Sequence, residues 1–457
     1  MKIAVVLQSR RFFKYYYESG CFNELEKEHD VTYAILKSDV ESIKKLEEQK
    51  KKTSLIQYVP NSKTYRYFEI YSYLSLKRHS SRSRSFSLKF GNFYKAWSRK
   101  GKLFHLVLSL PILFEAFAFI FKAVLSGNPL SHESFMKDKP DYIIVPSGGT
   151  MDVYSMLSFK AARSLNIGSI LLMFNWDNIT CKGVYPFQPS YALLWGEQSK
   201  RHYLKINRVK EKKALVIGSA QFGTYEEDKP SSVKKINLRK QFGISEDIVL
   251  GSYLGGARYR SDVELLKKLD PILSEYNLAL VYRPHPWQDN DMLEEDFYNE
   301  TFESIYMDPS MEFHYKNSRK NPEYNMKSFI PELDYFPAFL SEIDFSISSY
   351  STMSLESIKM GKPVVLAGYK DKKFPYSFDK LRTYEHHDEW KNIEYVFECL
   401  SESELKQSIE KIKEWTRNSE VSHKLVESSK IISYFDERTY SRRLADITQQ
   451  VIAVKEI

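Results

Sequence analysis

The most chemically distinctive stretch of the chain is a run of hydroxyl side chains at residues 348–352, Ser-Ser-Tyr-Ser-Thr. It stands between a short β-prone segment, residues 344–347, and a helix-prone segment, residues 352–360. A helix N-terminus carries unpaired N–H groups and partial positive charge, and this first turn offers hydroxyls instead of an acid. These hydroxyls belong to Ser349, Ser351, Thr352 and Ser354. Such an end is suited to bind a phosphate, and the alternative is that Ser351 simply caps the helix.

Two further phosphate-binding candidates follow apolar, strand-like segments. One segment ends in Gly255 and Gly256, which let the backbone approach a ligand closely, and Arg258 comes shortly after. Another ends in Arg283 and His285, and the prolines on both sides of His285 restrict the direction of its ring. A fixed imidazole at a strand's carboxyl end can donate to a phosphate or serve as an acid. A plain turn is the alternative for the glycine pair, and a structural role is the alternative for His285.

A third group of polar side chains follows the strand-like segment 169–174. Asp177 is a candidate general base, because it is a carboxylate flanked by amides and close to Lys182 in the sequence. Polar side chains directly after a parallel strand lie where α/β domains bind ligands. The alternative is a local turn in which Asn175 and Asp177 satisfy nearby backbone groups. The residues expected on the acceptor side of the site are Arg10, Arg11, Asn175, Trp176, Asn178 and Lys182.

The segments that position these residues alternate between strand-like and helix-like, which is typical of doubly wound parallel sheets. With 457 residues, 42% of them hydrophobic, the chain is long enough for two or three domains. We expect an N-terminal α/β domain at 1–225 and a second one at 240–430, joined by a polar linker near 226–232. No glycine fingerprint follows the first strand, so a dinucleotide site is not expected there. The strands expected in the first half are residues 3–7, 31–36, 142–145, 169–174, 191–195 and 214–217.

Residues 60–125 interrupt this alternation. Residues 60–102 hold eleven lysines and arginines against one acid, with ten aromatic residues between them. Residues 103–125 are apolar and long enough to span a bilayer, but Pro111, Glu115 and Lys122 argue against a spanning helix. We expect an insertion that lies on an anionic membrane surface, with 103–125 helical beside its basic part. The alternatives are a solvated face followed by a buried helix, and nucleic-acid binding, for which no motif is present.

Cysteine content and charge indicate the compartment and the kind of partner. The three cysteines, Cys21, Cys181 and Cys399, are far apart and lack metal-ligand spacing. The first apolar run is also too short for a signal peptide, so we expect a reduced, cytoplasmic protein. The net charge of +8 favours anionic partners. No metal and no cofactor are expected.

The carboxyl half resembles the nucleotide-binding domain of glycosyltransferases with the GT-B fold. In that fold, two Rossmann-like domains face each other across a cleft, and the activated donor binds mainly to the second. The family pattern is a strand, a loop of small residues, a helix that bears a glutamate, and then Gly-x-Pro-Val. The segment from Ser349 to Glu356, followed by Gly361-Lys-Pro-Val364, fits it. The resemblance implies that Glu356 binds the ribose hydroxyls and that residues 431–457 pack back on the first domain as a helix.

A pair of motifs narrows the resemblance. His285-Pro286, together with Ser348-Ser349, is similar to the paired motifs of bacterial sialyltransferases and capsular Kdo transferases. In those families both motifs hold the phosphate of a CMP-linked sugar, and polymerases that use CDP-glycerol share a similar pair. The resemblance covers about residues 248–400. The acidic-acidic-glycine motif of the sialyltransferase base has no clear counterpart, which leaves the base unassigned by resemblance.

These observations predict a metal-independent glycosyltransferase. It would move a sugar from a CMP- or UDP-linked donor to a bacterial surface polysaccharide, such as capsule or lipopolysaccharide, or to a lipid-linked acceptor at the cytoplasmic membrane face. Bound phosphate would be stabilised there by helix-end amides, hydroxyls, arginine and histidine. Asp177 and His285 are the expected catalytic residues, and the expected donor ligands are Gly255, Gly256, Arg258, Arg283, His285, Ser348, Ser349, Ser351, Thr352 and Glu356. The alternatives are a CDP-polyol phosphotransferase, a non-hydrolysing UDP-sugar 2-epimerase and a non-catalytic binding protein.

Overall fold

The computed structural model describes residues 1–96, 99–124, 139–225, 236–256, 262–286, 296–321, 324, 332–367 and 381–455. The chain divides into two compact units. Unit 1 contains Met1–Glu226, Tyr384–His386 and Ile431–Ile457, and unit 2 contains Glu227–Thr383 and His387–Lys430. The linker expected near residues 226–232 lies outside the described residues.

Unit 1 is built on a parallel sheet of seven described strands in the order β3-β2-β1-β4-β5-β6-β7. The strands are β1 (Lys2–Leu7), β2 (Asp30–Leu36), β3 (Thr53–Ile56), β4 (Tyr142–Ser147), β5 (Gly168–Met173), β6 (Tyr191–Leu194) and β7 (Ala214–Val216). The central strands β4 and β5 are buried along their whole length, as parallel strands covered on both faces are. The chain order reverses between β1 and β4, which makes their carboxyl ends a switch point.

The helices of unit 1 connect these strands and include the helical part of the insertion. They are α1 (Arg10–Phe12), α2 (Asn23–Glu28), α3 (Val40–Glu48), α4 (Ser62–Arg78), α5 (Arg84–Ala96), α6 (Arg99–Leu108), α7 (Pro111–Val124), α8 (Val153–Ser164), α9 (Asn178–Cys181), α10 (Glu197–Asn207) and α18 (Tyr440–Lys455). Leu444 and Val451 of α18 belong to the same buried cluster as Val5 of β1. The last segment of the chain is therefore part of the first core.

Unit 2 is built on a parallel sheet of six described strands in the order β10-β9-β8-β11-β12-β13. The strands are β8 (Val249–Leu254), β9 (Leu278–Arg283), β10 (Ile305–Met307), β11 (Phe345–Ser348), β12 (Val364–Ala367) and β13 (Val396–Cys399). The helices are α11 (Leu238–Phe242), α12 (Asp262–Tyr276), α13 (Pro309–Lys320), α14 (Tyr335–Glu342), α15 (Thr352–Lys359), α16 (Leu405–Trp415) and α17 (Ser419–Ser429). Gly361 has a φ of +68°, so a glycine ends α15 in the left-handed conformation that the sequence predicts.

The insertion forms α4 to α7, within the connection from β3 to β4. Residues 103–124 are not one helix, since α6 ends at Leu108 and α7 begins at Pro111; residue 125 lies outside the described part. Among the described residues, no single helix has the length and apolarity needed to cross a membrane. Residues Gly101–Leu108 and Pro111–Ala123 meet that test only together, and the two helices are bent by 92°. Proline at the first position of α7 fits a helix start and prevents α6 from continuing.

Part of the basic run at residues 77–84 is used in packing. The guanidinium of Arg82 donates to the Ile206 carbonyl at 2.8 Å, and the imidazole of His79 meets the Phe114 ring edge-on at 5.5 Å. Lys77 and Arg84 are exposed. The run is therefore not a uniformly solvated basic face.

Candidate functional site

The carboxyl ends of β8, β9 and β11 lie side by side in unit 2. Strand β8 pairs in parallel with both of the others. The N–H of Gly255 donates to the Arg283 carbonyl at 2.9 Å, and the Ser348 hydroxyl donates to the Leu254 carbonyl at 3.1 Å. The chain order reverses between β8 and β11, which is where open α/β sheets bind ligands. Three segments that the sequence singled out separately thus share one edge of the sheet.

Helix α15 begins directly at the serine turn, residues 348–352. The hydroxyl of Ser351 accepts from the Ser354 N–H at 3.1 Å, so Ser351 does cap the helix. The Ser354 hydroxyl donates to the Ser349 carbonyl at 2.8 Å and closes the turn. The first turn of α15 contains no acid, so no side chain of the helix itself neutralises the partial positive charge at this end. The turn is therefore a capped helix start that also suits an outside anion.

Tyr350 anchors the serine turn, a role that sequence reasoning missed. Its ring stacks on His387 with centroids 4.2 Å apart and meets Trp390 edge-on at 5.2 Å. Its hydroxyl donates to the carboxylate of Glu398 on β13. Burial raises the pKa of Tyr350, and the hydrogen bond to Glu398 raises it further. The side chain is therefore a neutral anchor that holds the turn against His387, Trp390 and strand β13.

The roles expected of His285 and Glu356 stay predictions. His285 follows β9, and Glu356 lies about one turn into α15; both are half-buried. Gly255 is buried and Gly256 is half-buried at the end of β8, and a Cβ at Gly256 would meet no atom within 4 Å. Arg258 lies outside the described residues.

Arg283 differs from the expectation that it binds phosphate. Its side chain is buried and forms an ion pair with the carboxylate of Asp308, and it also donates to the Ser310 hydroxyl at 2.8 Å. The rings of Tyr335 and Phe336 lie 5.4 and 5.3 Å from the guanidinium carbon. Because its charge is already paired inside the domain, Arg283 has a structural role here.

At the switch point of unit 1, Gln8 occupies the place where a dinucleotide fold would have a glycine. Its amide nitrogen lies 2.8 Å from the Pro146 carbonyl, 3.1 Å from an Asp152 carboxylate oxygen and 2.6 Å from the Ser155 hydroxyl. Asp152 caps α8, and burial raises the pKa of its carboxyl group. A side chain therefore fills the space next to β1 that a nucleotide phosphate would need.

The two arginines after β1 have different surroundings. Arg10 forms ion pairs with Glu18 at 2.9 Å and with Glu41 at 2.6 Å, so its charge is committed within unit 1. These ion pairs give Arg10 a structural role, and contact with an acceptor stays a prediction. Arg11 is exposed, and its guanidinium carbon lies 4.5 Å from the centre of the Phe174 ring. Arg11 therefore lies near the end of β5, beside the loop that carries Asp177.

The loop of residues 175–182 combines a local turn with a buried carboxylate oxygen. The side chain of Asn175 accepts from the Trp176 N–H at 2.9 Å, which is the local-turn alternative for that residue. Asp177 precedes α9 without capping it, and its Oδ1 is buried with no hydrogen-bond partner among the described residues. Trp176 and Asn178 are buried, whereas Lys182 is exposed. Asp177 therefore does not satisfy the start of α9, and its role as a general base stays a prediction.

His386 joins this loop from a distant part of the chain, and sequence spacing gave no sign of it. Its Nδ1 lies 2.7 Å from the Thr180 hydroxyl, and its ring meets Trp176 edge-on at 5.2 Å. Asp177, Cys181 and His386 place their ligand atoms within 4.8 Å of one another and form a candidate metal-binding group. Burial raises the pKa of Cys181 to about 11, so metal binding would have to displace the thiol proton.

A glycine loop after β4 closes over the loop of residues 175–182. Gly149 has a φ of +122°, and a Cβ there would lie 2.5 Å from the Cβ of Lys182. The Thr150 hydroxyl donates to the Lys182 carbonyl and joins the two loops. Gly149 and Thr150 were not singled out from the sequence, although Ser147-Gly-Gly-Thr150 directly after an apolar strand is a signal that could have identified this loop.

Comparison with solved structures shows the fold. The UDP-GlcNAc 2-epimerase of Methanocaldococcus jannaschii matches 98% of this chain and 100% of its own, with 14% identity and a TM-score of 0.53. The UDP-GlcNAc 2-epimerase of Neisseria meningitidis bound to UDP-GlcNAc matches 98% and 100%, with 12% identity and a TM-score of 0.53. The glycotransferase of kitacinnamycin matches 98% of both chains, with 11% identity and a TM-score of 0.52.

No protein-family profile matches the sequence. No curated protein matches it either. The expectation of two Rossmann-like α/β domains with the GT-B fold is confirmed by the two parallel sheets and by these structural matches.

Proposed function

We propose that this chain is a glycosyltransferase that takes its sugar from a nucleotide-linked donor. The observation that carries the proposal is the shared edge in unit 2, where the strands that precede Gly255, His285 and the serine turn lie side by side at the switch point between β8 and β11. The similarity to the glycotransferase of kitacinnamycin and to an epimerase bound to UDP-GlcNAc supports a nucleotide-sugar substrate.

The diphosphate or phosphate of the donor would lie at the amino end of α15. Backbone N–H groups and hydroxyls there would stabilise the charge that develops on the leaving nucleotide. His285 would donate a hydrogen bond to that phosphate, and Glu356 would accept from the ribose hydroxyls about one helical turn away. Helix α15 advances roughly 5.4 Å per turn, which is comparable to the span from phosphate to ribose.

Asp177 would be the general base of the reaction. Its buried Oδ1, which has no hydrogen-bond partner among the described residues, supports this role. Glu385 of unit 1 also has such an oxygen, but its carboxylate is paired with Lys205 at 2.9 Å. The acceptor would be a surface polysaccharide or lipid-linked glycan at the cytoplasmic face of the membrane, and Arg11, Trp176, Asn178 and Lys182 of unit 1 would bind it. The excess of positive charge in the insertion supports this location.

A thermal-shift panel of CMP, CDP, UDP, GDP and ADP tests the nucleotide site and identifies the nucleobase that it binds. A ligand at one hundred times its Kd stabilises the protein by about 2.7 kcal/mol, which is readily measured. We expect a pyrimidine nucleotide to give the largest shift. A matched control is Glu342→Gln on α14, which should leave the shift unchanged while Glu356→Gln reduces it. If no nucleotide shifts the transition, the proposal is wrong and a non-catalytic role is favoured.

A UDP-sugar 2-epimerase is the second candidate, because two of the matched structures are enzymes of that kind. The two reactions differ in their products. Incubation with UDP-GlcNAc alone would yield an epimer from an epimerase, whereas a glycosyltransferase needs an acceptor before sugar is released from the nucleotide.

A further inference from the structure

Helices α6 and α7 expose an unusual concentration of large apolar side chains. Ile112 is 83% exposed and Phe119 is 75% exposed, although both are among the most apolar residue types. The other exposed members are Leu103, Phe104, Leu106, Val107, Leu110, Leu113 and Ile120. Single exposed apolar residues need no explanation, but a contiguous set on two consecutive helices marks a surface that something covers.

The two faces of α7 are sharply different. Phe114, Ala118 and Phe121 are buried against α4, where the Phe121 ring stacks on Tyr71 at 4.9 Å. At about 100° per residue, Phe119, Ile112 and Ile120 fall together on the opposite side of the helix. By the same spacing, Glu115 and Lys122 lie at the border between the buried and the exposed sides. The exposed face of α7 is thus an apolar stripe with its charges at one margin.

The apolar face belongs to the most basic part of the molecule. Residues 62–124, which form α4 to α7, contain twelve lysines and arginines and two acids, a net charge of +10. The whole chain has a net charge of +8, so the remainder carries −2. An amphipathic helix pair with an apolar stripe in a strongly basic setting has the chemistry that recognises an anionic lipid surface.

We propose that the exposed face of α6 and α7 inserts into the interfacial layer of an anionic bilayer. The fourteen residues of α7 are about 21 Å long at 1.5 Å per residue, too short for a hydrocarbon core of roughly 30 Å. With the 92° bend between them, the helices lie in the interface instead of crossing it. Apolar insertion, and not the partly buried basic run at residues 77–84, supplies the main anchor. This inference rests on the membrane location in the proposed function and specifies the surface that provides it.

A second copy of the chain fits this face less well than lipid does. Pairing the same face in two copies would bring two regions of net charge +10 together. Like charges at close range oppose association, and the repulsion increases at low salt. The positive charge of residues 62–124 therefore favours an anionic lipid surface over a second copy of the chain as the binding partner of this face.

The test is binding of the full chain to phosphatidylcholine vesicles with and without phosphatidylglycerol, measured by flotation. We expect Phe119→Asp combined with Ile112→Asp to weaken binding to anionic vesicles about tenfold or more, because two exposed apolar groups lose their transfer to lipid. The matched control is Phe313→Asp on α13 of unit 2, where the phenylalanine is 65% exposed, and it should bind as the unmodified protein does. High salt should weaken binding without abolishing it, since insertion is not electrostatic.

The depth to which α7 inserts into the bilayer is measured separately, with a fluorescent label on Phe119→Cys. Cys21, Cys181 and Cys399 are all buried, so an added surface thiol is labelled selectively. We expect the label to be quenched by bromine-substituted lipids, and a label on Phe313→Cys not to be. Vesicle binding that is unchanged by the aspartate pair overturns the proposal. The proposal is also overturned if sedimentation shows a dimer that the aspartate pair dissociates. Both results are independent of the nucleotide panel, so a failed anchor and a failed transferase are told apart.

Discussion

Replacing Arg283 separates a structural role from a phosphate-binding role at the candidate site. The guanidinium is paired with Asp308 in the interior, and Asp308 also accepts hydrogen bonds from the Ser310 N–H at 2.8 Å and from the Tyr335 hydroxyl. Arg283→Met keeps an unbranched, apolar side chain of similar length and removes the charge. It leaves the Asp308 carboxylate buried with two hydrogen bonds and no cation.

The expected cost follows from breaking a buried ion pair on one side. Removal of one partner typically destabilises a protein by about 3–5 kcal/mol, because the remaining charge is uncompensated. The two remaining hydrogen bonds to Asp308 place the expected loss near the lower end, at about 3 kcal/mol. The double variant Arg283→Met with Asp308→Leu should recover part of this, since it removes both charges. Loss of the cap that Asp308 provides to α13 keeps the recovery incomplete, by about 1 kcal/mol.

Urea unfolding followed by circular dichroism measures the stability, and calorimetric titration of the nucleotide found in the panel measures the affinity. We expect Arg283→Met to lower the midpoint of unfolding while the affinity of the folded protein changes by less than about threefold, a shift of roughly 0.6 kcal/mol. An unchanged midpoint together with a large loss of affinity would refute the structural role and restore Arg283 as a phosphate ligand.

Three other outcomes follow from the same structure. Burial, with Arg82, Arg78 and Arg208 nearby, lowers the pKa of His79 to about 3. Between pH 6.5 and 3 the unfolded chain therefore binds one proton at this residue that the folded chain does not, so stability falls as the pH falls, by about 2 kcal/mol at pH 5. His79→Gln should remove this loss in urea titrations, whereas His423→Gln, at an exposed position, should not. His285→Ala should abolish sugar transfer with an unchanged circular dichroism spectrum, and wild-type turnover in a folded variant would contradict its role. Glu356→Gln should weaken a ribonucleotide by about 1–3 kcal/mol and its 2′-deoxy analogue by less, whereas Ser349→Ala should weaken both alike; equal losses on Glu356→Gln would show that it does not bind the ribose.

Local chemistry made the central strands and the turns that follow them predictable. Buried parallel strands such as β4 and β9 are continuous apolar runs, and the turn residues that follow them are set by short-range backbone requirements. The cap at Ser351 and the left-handed Gly361 involve contacts within a few residues. Three of the four edge strands of the described sheets, β3, β10 and β13, were not predicted, because an edge strand is paired on one side and needs no continuous apolar run. The fourth, β7, was predicted at residues 214–217.

Only the tertiary structure decided which charged side chains form ion pairs and which side chains from distant parts of the chain are in contact. In the sequence, Arg283 looks like a phosphate ligand, and its pairing with Asp308 depends on the neighbouring strand β10. The contact of His386 with Thr180 joins residues 206 positions apart, and the exposure of Phe119 depends on which side of α7 packs against α4. Residue types and spacing determine backbone conformation within a few residues, whereas a side chain's partner and its exposure are set by elements that folding brings together from far along the chain.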